Sequence, residues 1–198
     1  MSSSPTLFMV LLGCTPAGRL TEQHDVYFDI GADLKSLVPN LKTFWPDSGK
    51  LHIDGWRPVT QVDSWQVSVV PRTAEAGPST QTAPSAPAGP APHRLFFINL
   101  GGYKPNEFDE FHYKMLIAAP EKGEAIRKAK QTAFYQHTGF KGAESHIDDK
   151  YGIDVDDVYD IQDILPEAIK EKYQLHLTPA VSDSPDLLSL GYFQLHKL

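Results

Sequence analysis

The chain has 198 residues, of which 41% are hydrophobic and 22% charged, with a formal charge of -7 and an isoelectric point near 5.5. This is an ordinary globular composition for one large or two small domains, and the lack of a broad basic footprint argues against a nucleic-acid backbone binder or an anchor on an anionic membrane surface. The single cysteine, Cys14, excludes an intramolecular disulfide framework and fits a reducing compartment; with no apolar stretch near the ~20 residues of a membrane span, the expected location is the cytoplasm.

Residues 1 to 6 read as a loose leader, and Leu7 to Leu12 as a strand covered on both faces, ended by Gly13. Leu11-Leu12-Gly13-Cys14 resembles a lipoprotein cleavage box, but the leader carries no positive charge and the apolar run is shorter than the ~7 to 15 residues of a signal core. The same kind of run recurs at Leu95 to Leu100 in mid-chain, where no signal peptide can be. Gly13 to Gln23 is too long for a tight hairpin and reads as a functional loop or flap. A second strand is expected over His24 to Ile30. Leu34, Leu37, Val38, Leu41 and Trp45 then fall at helical spacing, with Pro39 imposing a kink or a late start. Leu51 to Asp54 and Trp65 to Val70 read as the third and fourth strands.

Pro71 to His93 has no large apolar side chain and many Pro, Ala, Ser and Thr, the composition of a disordered, extended linker. Arg94 to Leu100 and Phe111 to Ala118 are the next expected strands, followed by a helix opened by Pro120 with Ala125, Ile126, Ala129 and Ala133 on its buried face. Val158 to Ile164 is expected as a strand, Pro166 to Tyr173 as a short helix, and Gln174 to Thr178 as a last strand. The tail beyond Pro179 has apolar residues, Leu187, Leu188, Leu190, Tyr192 and Phe193, with which to fold back.

The chain reads as one unit said twice. Leu7-Phe8 matches Leu95-Phe96, Gly13 matches Gly101, and Glu22 and His24 match Glu110 and His112, all 88 residues apart; after the helix an offset of 94 pairs His52 with His146, Asp54 with Asp148, Asp63 with Asp157, Trp65 with Tyr159 and Val67 with Ile161. The expected fold is therefore α+β: two tandem strand-strand-helix-strand-strand repeats related by a pseudo-two-fold, each a small, mostly antiparallel sheet with one main helix. The expected domains are 7 to 70 and 94 to 178, with the linker at 71 to 93 and the tail at 179 to 198.

Residues two apart on a strand share a face. Glu22 with His24, His52 with Asp54, Glu110 with His112, and His146 with Asp148 thus give each repeat two imidazoles and two carboxylates. Such a set suits zinc, manganese or iron, serves as general acid and base, or equally caps strand ends through hydrogen bonds. His137, in a glycine-bearing insertion from His137 to Ser145, can join the second set, and His112, His146 and Asp148 are the metal candidates there. The acidic run from Asp148 to Asp163 lacks calcium-loop spacing and reads as a solvated face. Cys14, a lone thiol whose repeat counterpart is Gly102, reads as inert. Arg19 and Lys104 are candidate anion contacts in the two loops.

Phe8-Met9-Val10-Leu11-Leu12-Gly13, Glu22-Gln23-His24-Asp25, Phe96-Phe97-Ile98-Asn99-Leu100-Gly101-Gly102-Tyr103 and His137-Thr138-Gly139-Phe140-Lys141-Gly142-Ala143-Glu144-Ser145-His146-Ile147-Asp148-Asp149-Lys150-Tyr151-Gly152 resemble the bacterial family catalogued as domain of unknown function 1543, over about residues 7 to 70 and 94 to 178. The resemblance implies a bacterial, cytoplasmic setting and brings no catalytic residue with it. The expectation from the residues is a non-enzymatic binding module for an unidentified protein or small molecule, with a polar cleft near His112 and His146. It takes no nucleic acid or membrane, and a homodimer is one possible assembly. The alternative is a metal-assisted or acid/base enzyme on a small polar substrate; the cofactor is left unassigned.

Overall fold

The computed structural model describes residues 4–72, 91–103, 108–136, 153–181 and 184–198. In chain order its elements are β1 (Thr6–Cys14), β2 (Gln23–Gly31), a 3-10 turn (Lys35–Leu37), α1 (Val38–Phe44), β3 (His52–Pro58), β4 (Gln61–Val62) and β5 (Trp65–Pro71). Then come β6 (Arg94–Tyr103), β7 (Glu110–Ala119), α2 (Lys122–Gln136), β8 (Ile153–Asp160), α3 (Ile161–Ile164), α4 (Glu167–Lys170), β9 (Tyr173–Pro179) and β10 (Ser189–Gln194), ending in a 3-10 turn (Leu195–Lys197). The architecture is α+β, with small antiparallel sheets and few helices. No described helix is long and apolar enough to cross a membrane.

The chain divides into two units, Met1–Ser79 with Ile164–Leu198, and Thr80–Asp163. In the first, β1 and β3 are the inner strands of a four-stranded sheet ordered β10-β3-β1-β2, and β1 lies between β3 and β2. Its alternate residues Phe8, Val10 and Leu12 meet Tyr27 and Ile53 from the neighbouring strands and Leu34, Leu37 and Leu41 from the helical segment in one core. Val10, Leu12, Leu41 and Ile53 are fully buried, each such side chain contributing about 1.5–3 kcal/mol of transfer free energy. The expected late helix start is met: Ser36 N–H donates to Asp33 Oδ1 at 2.8 Å, and Pro39 falls in the first turn of α1, where its missing N–H has no partner to lose.

Inside that core lies one carboxylate. Asp29 is fully buried and accepts from Asn40 Nδ2 at 2.8 Å, Ile30 N–H at 2.8 Å and Tyr27 Oη at 3.2 Å. Burial pushes its pKa up, against the three hydrogen bonds that lower it.

The second unit has a three-stranded antiparallel sheet, β7-β6-β8. Phe96, Ile98, Leu100, Met115 and Ile117 pack with Ala125 and Ala129 of α2, whose small face lets the helix approach the sheet closely. The register of β1 with β2 and of β6 with β7 coincides at an offset of 88: Thr6↔Gly31 in one, Arg94↔Ala119 in the other.

The third strand does not follow the expected offset of 94. β1 meets β3 with Phe8↔Pro58 and Gly13↔His52, and β6 meets β8 with Phe96↔Asp160 and Gly101↔Asp154, an offset of 102 (58 to 160, 52 to 154). Both pairings carry a bulge at the same place, between Leu11 and Leu12 and between Asn99 and Leu100, which leaves Asp54 and Asp156 as the extra residues. The positions matching His52 and Asp54 are therefore Asp154 and Asp156. His146 and Asp148, with His137 and the inserted loop, lie outside the described residues, as do Lys104 and most of the linker.

Other expectations shift for the same reason. Val158 to Ile164 is not one strand: β8 ends at Asp160, and Ile161–Ile164 is a helical turn. Trp65 and Tyr159 are not counterparts, because β5 pairs with β9, Trp65↔Pro179 through Pro71↔Tyr173, whereas Tyr159 pairs with Phe97 of β6. The tail does fold back, as β10 against β3. The acidic run is not wholly solvated either. Arg94 pairs with Asp160, whose side chain is 7% exposed, and burial pushes the Asp160 carboxyl up while Arg94 opposes the shift.

Candidate metal centre

Gly13 lies opposite His24 on one side and opposite His52 on the other, so two histidines face each other across a residue without a side chain. The sheet face is the one Val10 and Leu12 do not use, since strand side chains alternate. Glu22 stands just before β2, and Asp54, two residues after His52, shares its face by strand alternation. A methyl group at Gly13 would drive into Asp54 Oδ2 and come within 2.7 Å of His52 Nε2. Glycine inside a strand here marks a close approach by side chains rather than by backbone.

The four groups converge. His24 Nε2 lies 3.1 Å from Asp54 Oδ2 and 3.7 Å from Glu22 Oε2; His52 Nε2 lies 3.0 Å from Glu22 Oε1 and 3.2 Å from Asp54 Oδ1. Ligand atoms of Glu22, His24 and Asp54 all fall within 4.8 Å of one another. His52 stands outside that set of three, its Nε2 meeting the other oxygen of each carboxylate, Glu22 Oε1 and Asp54 Oδ1.

Two details favour a cation between them. His52 Nδ1 lies 3.1 Å from the Lys50 carbonyl; the carbonyl only accepts, so Nδ1 holds the proton, and in the neutral ring Nε2 turns a lone pair toward two carboxylate oxygens. Lone pairs at 3 Å repel unless a proton or a metal sits among them. Asp54 Oδ2 is buried and lies 3.1 Å from His24 Nε2, a contact that a protonated imidazole closes as an ion pair and a neutral one leaves open to a cation. His52 is held on a further side by Tyr192, its ring centroid 4.3 Å away. On the open side the His24 and Glu22 side chains are each 43% exposed, which leaves a position for water or a ligand.

The corresponding place in the second unit has His112 opposite Gly101, with His112 Nε2 3.9 Å from Glu110 Oε2. Cys14, next to Gly13, is fully buried, and burial with the nearby Glu22 charge pushes its thiol pKa up, which keeps it in the unreactive form. The structure brings the sequence pairs Glu22/His24 and His52/Asp54 together across β1, which lies between β2 and β3. Sequence reasoning missed Gly13 as the floor of the site, Lys50 as the carbonyl that orients His52, and Tyr192 as its stacking partner. A glycine ending an apolar strand between two histidine strands was the available signal for the first; the other two depend on pairings no local pattern reveals.

Fold and site together define an α+β protein with a histidine-carboxylate cluster on an antiparallel sheet. Residues 19–69, which contain β2, α1, β3 and all four cluster residues, match the family described as Domain of Unknown Function (DUF1543). Comparison with curated proteins finds no match. Among solved structures the chain is similar to a protein Il1583 from Idiomarina loihiensis, at 20% identity and a TM-score of 0.57, over 97% of this chain and 98% of that one. That likeness concerns the fold alone.

Proposed function

We propose that the protein is a bacterial cytoplasmic binding module built from two copies of one unit, and that the first copy holds a divalent transition metal of the zinc class through His24, His52, Asp54 and Glu22. The observation that carries the metal reading is the buried Asp54 Oδ2 without a hydrogen bond, set among imidazole and carboxylate atoms 3.0–3.7 Å apart. Two nitrogens and two carboxylates without thiolate suit zinc, manganese or iron, and among these zinc stands highest in the affinity order. The shared register and the shared bulge support the two-copy reading.

The bound ion would keep an open coordination position at the exposed edge formed by His24 and Glu22. That position suits an oxygen-bearing ligand, so the ligand-binding cleft expected near His112 belongs, on this reading, at the first copy.

Zinc titration of metal-stripped protein by calorimetry tests the proposal. One zinc per chain is expected, with affinity reduced at least about 100-fold in His24→Ala and in Asp54→Ala, and unchanged in His112→Ala. Absence of binding below millimolar zinc, or equal binding by His24→Ala, overturns it.

A further inference from the structure

A cavity of about 680 Å³ lies in the first unit between the end of α1, the loop into β3, and β10 with the turn after it. Its lining includes Lys42, Lys50 and His196 and two aromatic rings, Trp45 and Tyr192, with no aspartate or glutamate among the residues that form it. The charged side chains of that lining are both lysines, in a chain of net charge -7, and neither lysine is in an ion pair among the described residues. Cavities of this size ordinarily take small molecules.

The aromatic walls narrow the ligand further. Tyr192 is 61% exposed, yet its ring is packed on His52 with a centroid separation of 4.3 Å. An aromatic ring held in place while its outer face remains in water is a preorganised surface for a second ring, because little side-chain entropy is left to lose. Trp45 packs against the core of the same unit and also borders the cavity.

We propose that this cavity binds a small phosphate-type oxyanion carried on a flat ring, the lysines and His196 holding the anion and Tyr192 with Trp45 the ring. Calorimetric titration of metal-stripped protein with phenyl phosphate, beside inorganic phosphate and phenol as separate probes, tests it.

Phenyl phosphate is expected to bind at least about tenfold more tightly than either fragment, since ring stacking and charge-assisted hydrogen bonds each add to affinity. Lys42→Ala combined with Lys50→Ala reduces phenyl phosphate affinity at least about tenfold. Tyr192→Leu, a change at an exposed position that leaves the core intact, brings phenyl phosphate to within about threefold of phosphate. Absence of saturable binding up to about 10 mM, a range typical of weak fragments, overturns the proposal. So does wild-type affinity in the double lysine variant, or equal binding of phenyl phosphate and phosphate by the wild type.

Discussion

Glycine occupies the same register position in both units, between His24 and His52 in the first and between His112 and Asp154 in the second. The strands around it pair in the same register and bulge at the same step, so the scaffold is held constant while the residue at one register position changes from histidine to aspartate. The difference teaches that the backbone register, with its glycine and its bulge, is common to the two units, and that the residue opposite glycine on the third strand is where they differ; on the metal reading proposed above, that residue would set the ion. A nitrogen-rich set favours zinc-class ions, and an oxygen-rich one harder cations.

The strongest way to break this comparison is to remove an imidazole from the first unit. His52→Ala takes out a donor that is 7% exposed and already oriented by Lys50. Zinc affinity measured by competition with a chromophoric chelator should fall at least about 100-fold, with His112→Ala within about threefold of wild type. Equal losses in the two variants would abolish the distinction between the units.

Gly13→Ala tests the floor. The added methyl group meets Asp54 and His52, so zinc affinity is expected to drop about 10- to 100-fold while circular dichroism stays that of the wild type. A variant that binds zinc normally would show that close approach over Gly13 is not what assembles the donors.

Asp154→His sharpens the comparison in the other direction, by giving the second unit a histidine at the register position of His52. A second zinc equivalent, bound about tenfold more weakly than the first, should appear in the titration. No second equivalent would mean that the register position alone does not specify the ion.

Asp29 stands where the second unit has the buried aliphatic Ile117, opposite Phe8 and Phe96 respectively. Its carboxyl pKa is raised by burial, so its contribution to stability is fully present below the unfolded value of about 4 and is lost as pH rises through the folded value. The stability of wild type relative to Asp29→Asn, from urea unfolding, should accordingly be greatest near pH 4 and shrink toward pH 8; a difference constant with pH would contradict the assignment. The smallest effect belongs to the ion pair of the exposed Glu167 with the half-buried Lys170 at 2.8 Å, where Glu167→Ala should change unfolding free energy by no more than about 0.5 kcal/mol.

Much of the first unit was legible because its signals are local. Alternation, a glycine stop, a proline in a helical stripe and Glu22-x-His24 beside His52-x-Asp54 each act over a few residues, and the strands and the cluster follow from them. The second unit's third strand was misplaced because His146-Ile147-Asp148 imitates His52-Ile53-Asp54 in text, while the pairing partner of β6 is chosen by burial of Val155 and Val158 against the core. Such a choice depends on residues far apart in the chain. The union of β5 with β9 and of β3 with β10 was illegible for that reason, and with it the roles of Lys50 and Tyr192.

Those same unions set an order of events during synthesis. β5 finds its partner β9 only after all of Thr80–Asp163 has been made, and β10, which brings Tyr192 to His52, comes later still. On the ribosome the second unit can close while the first waits with a sheet face and two strand edges uncovered, a state open to premature association. The first unit's sheet is therefore completed last, by residues of the C-terminal segment, and a chain stalled before Tyr192 would present His24 and Asp54 without the ring that steadies their partner.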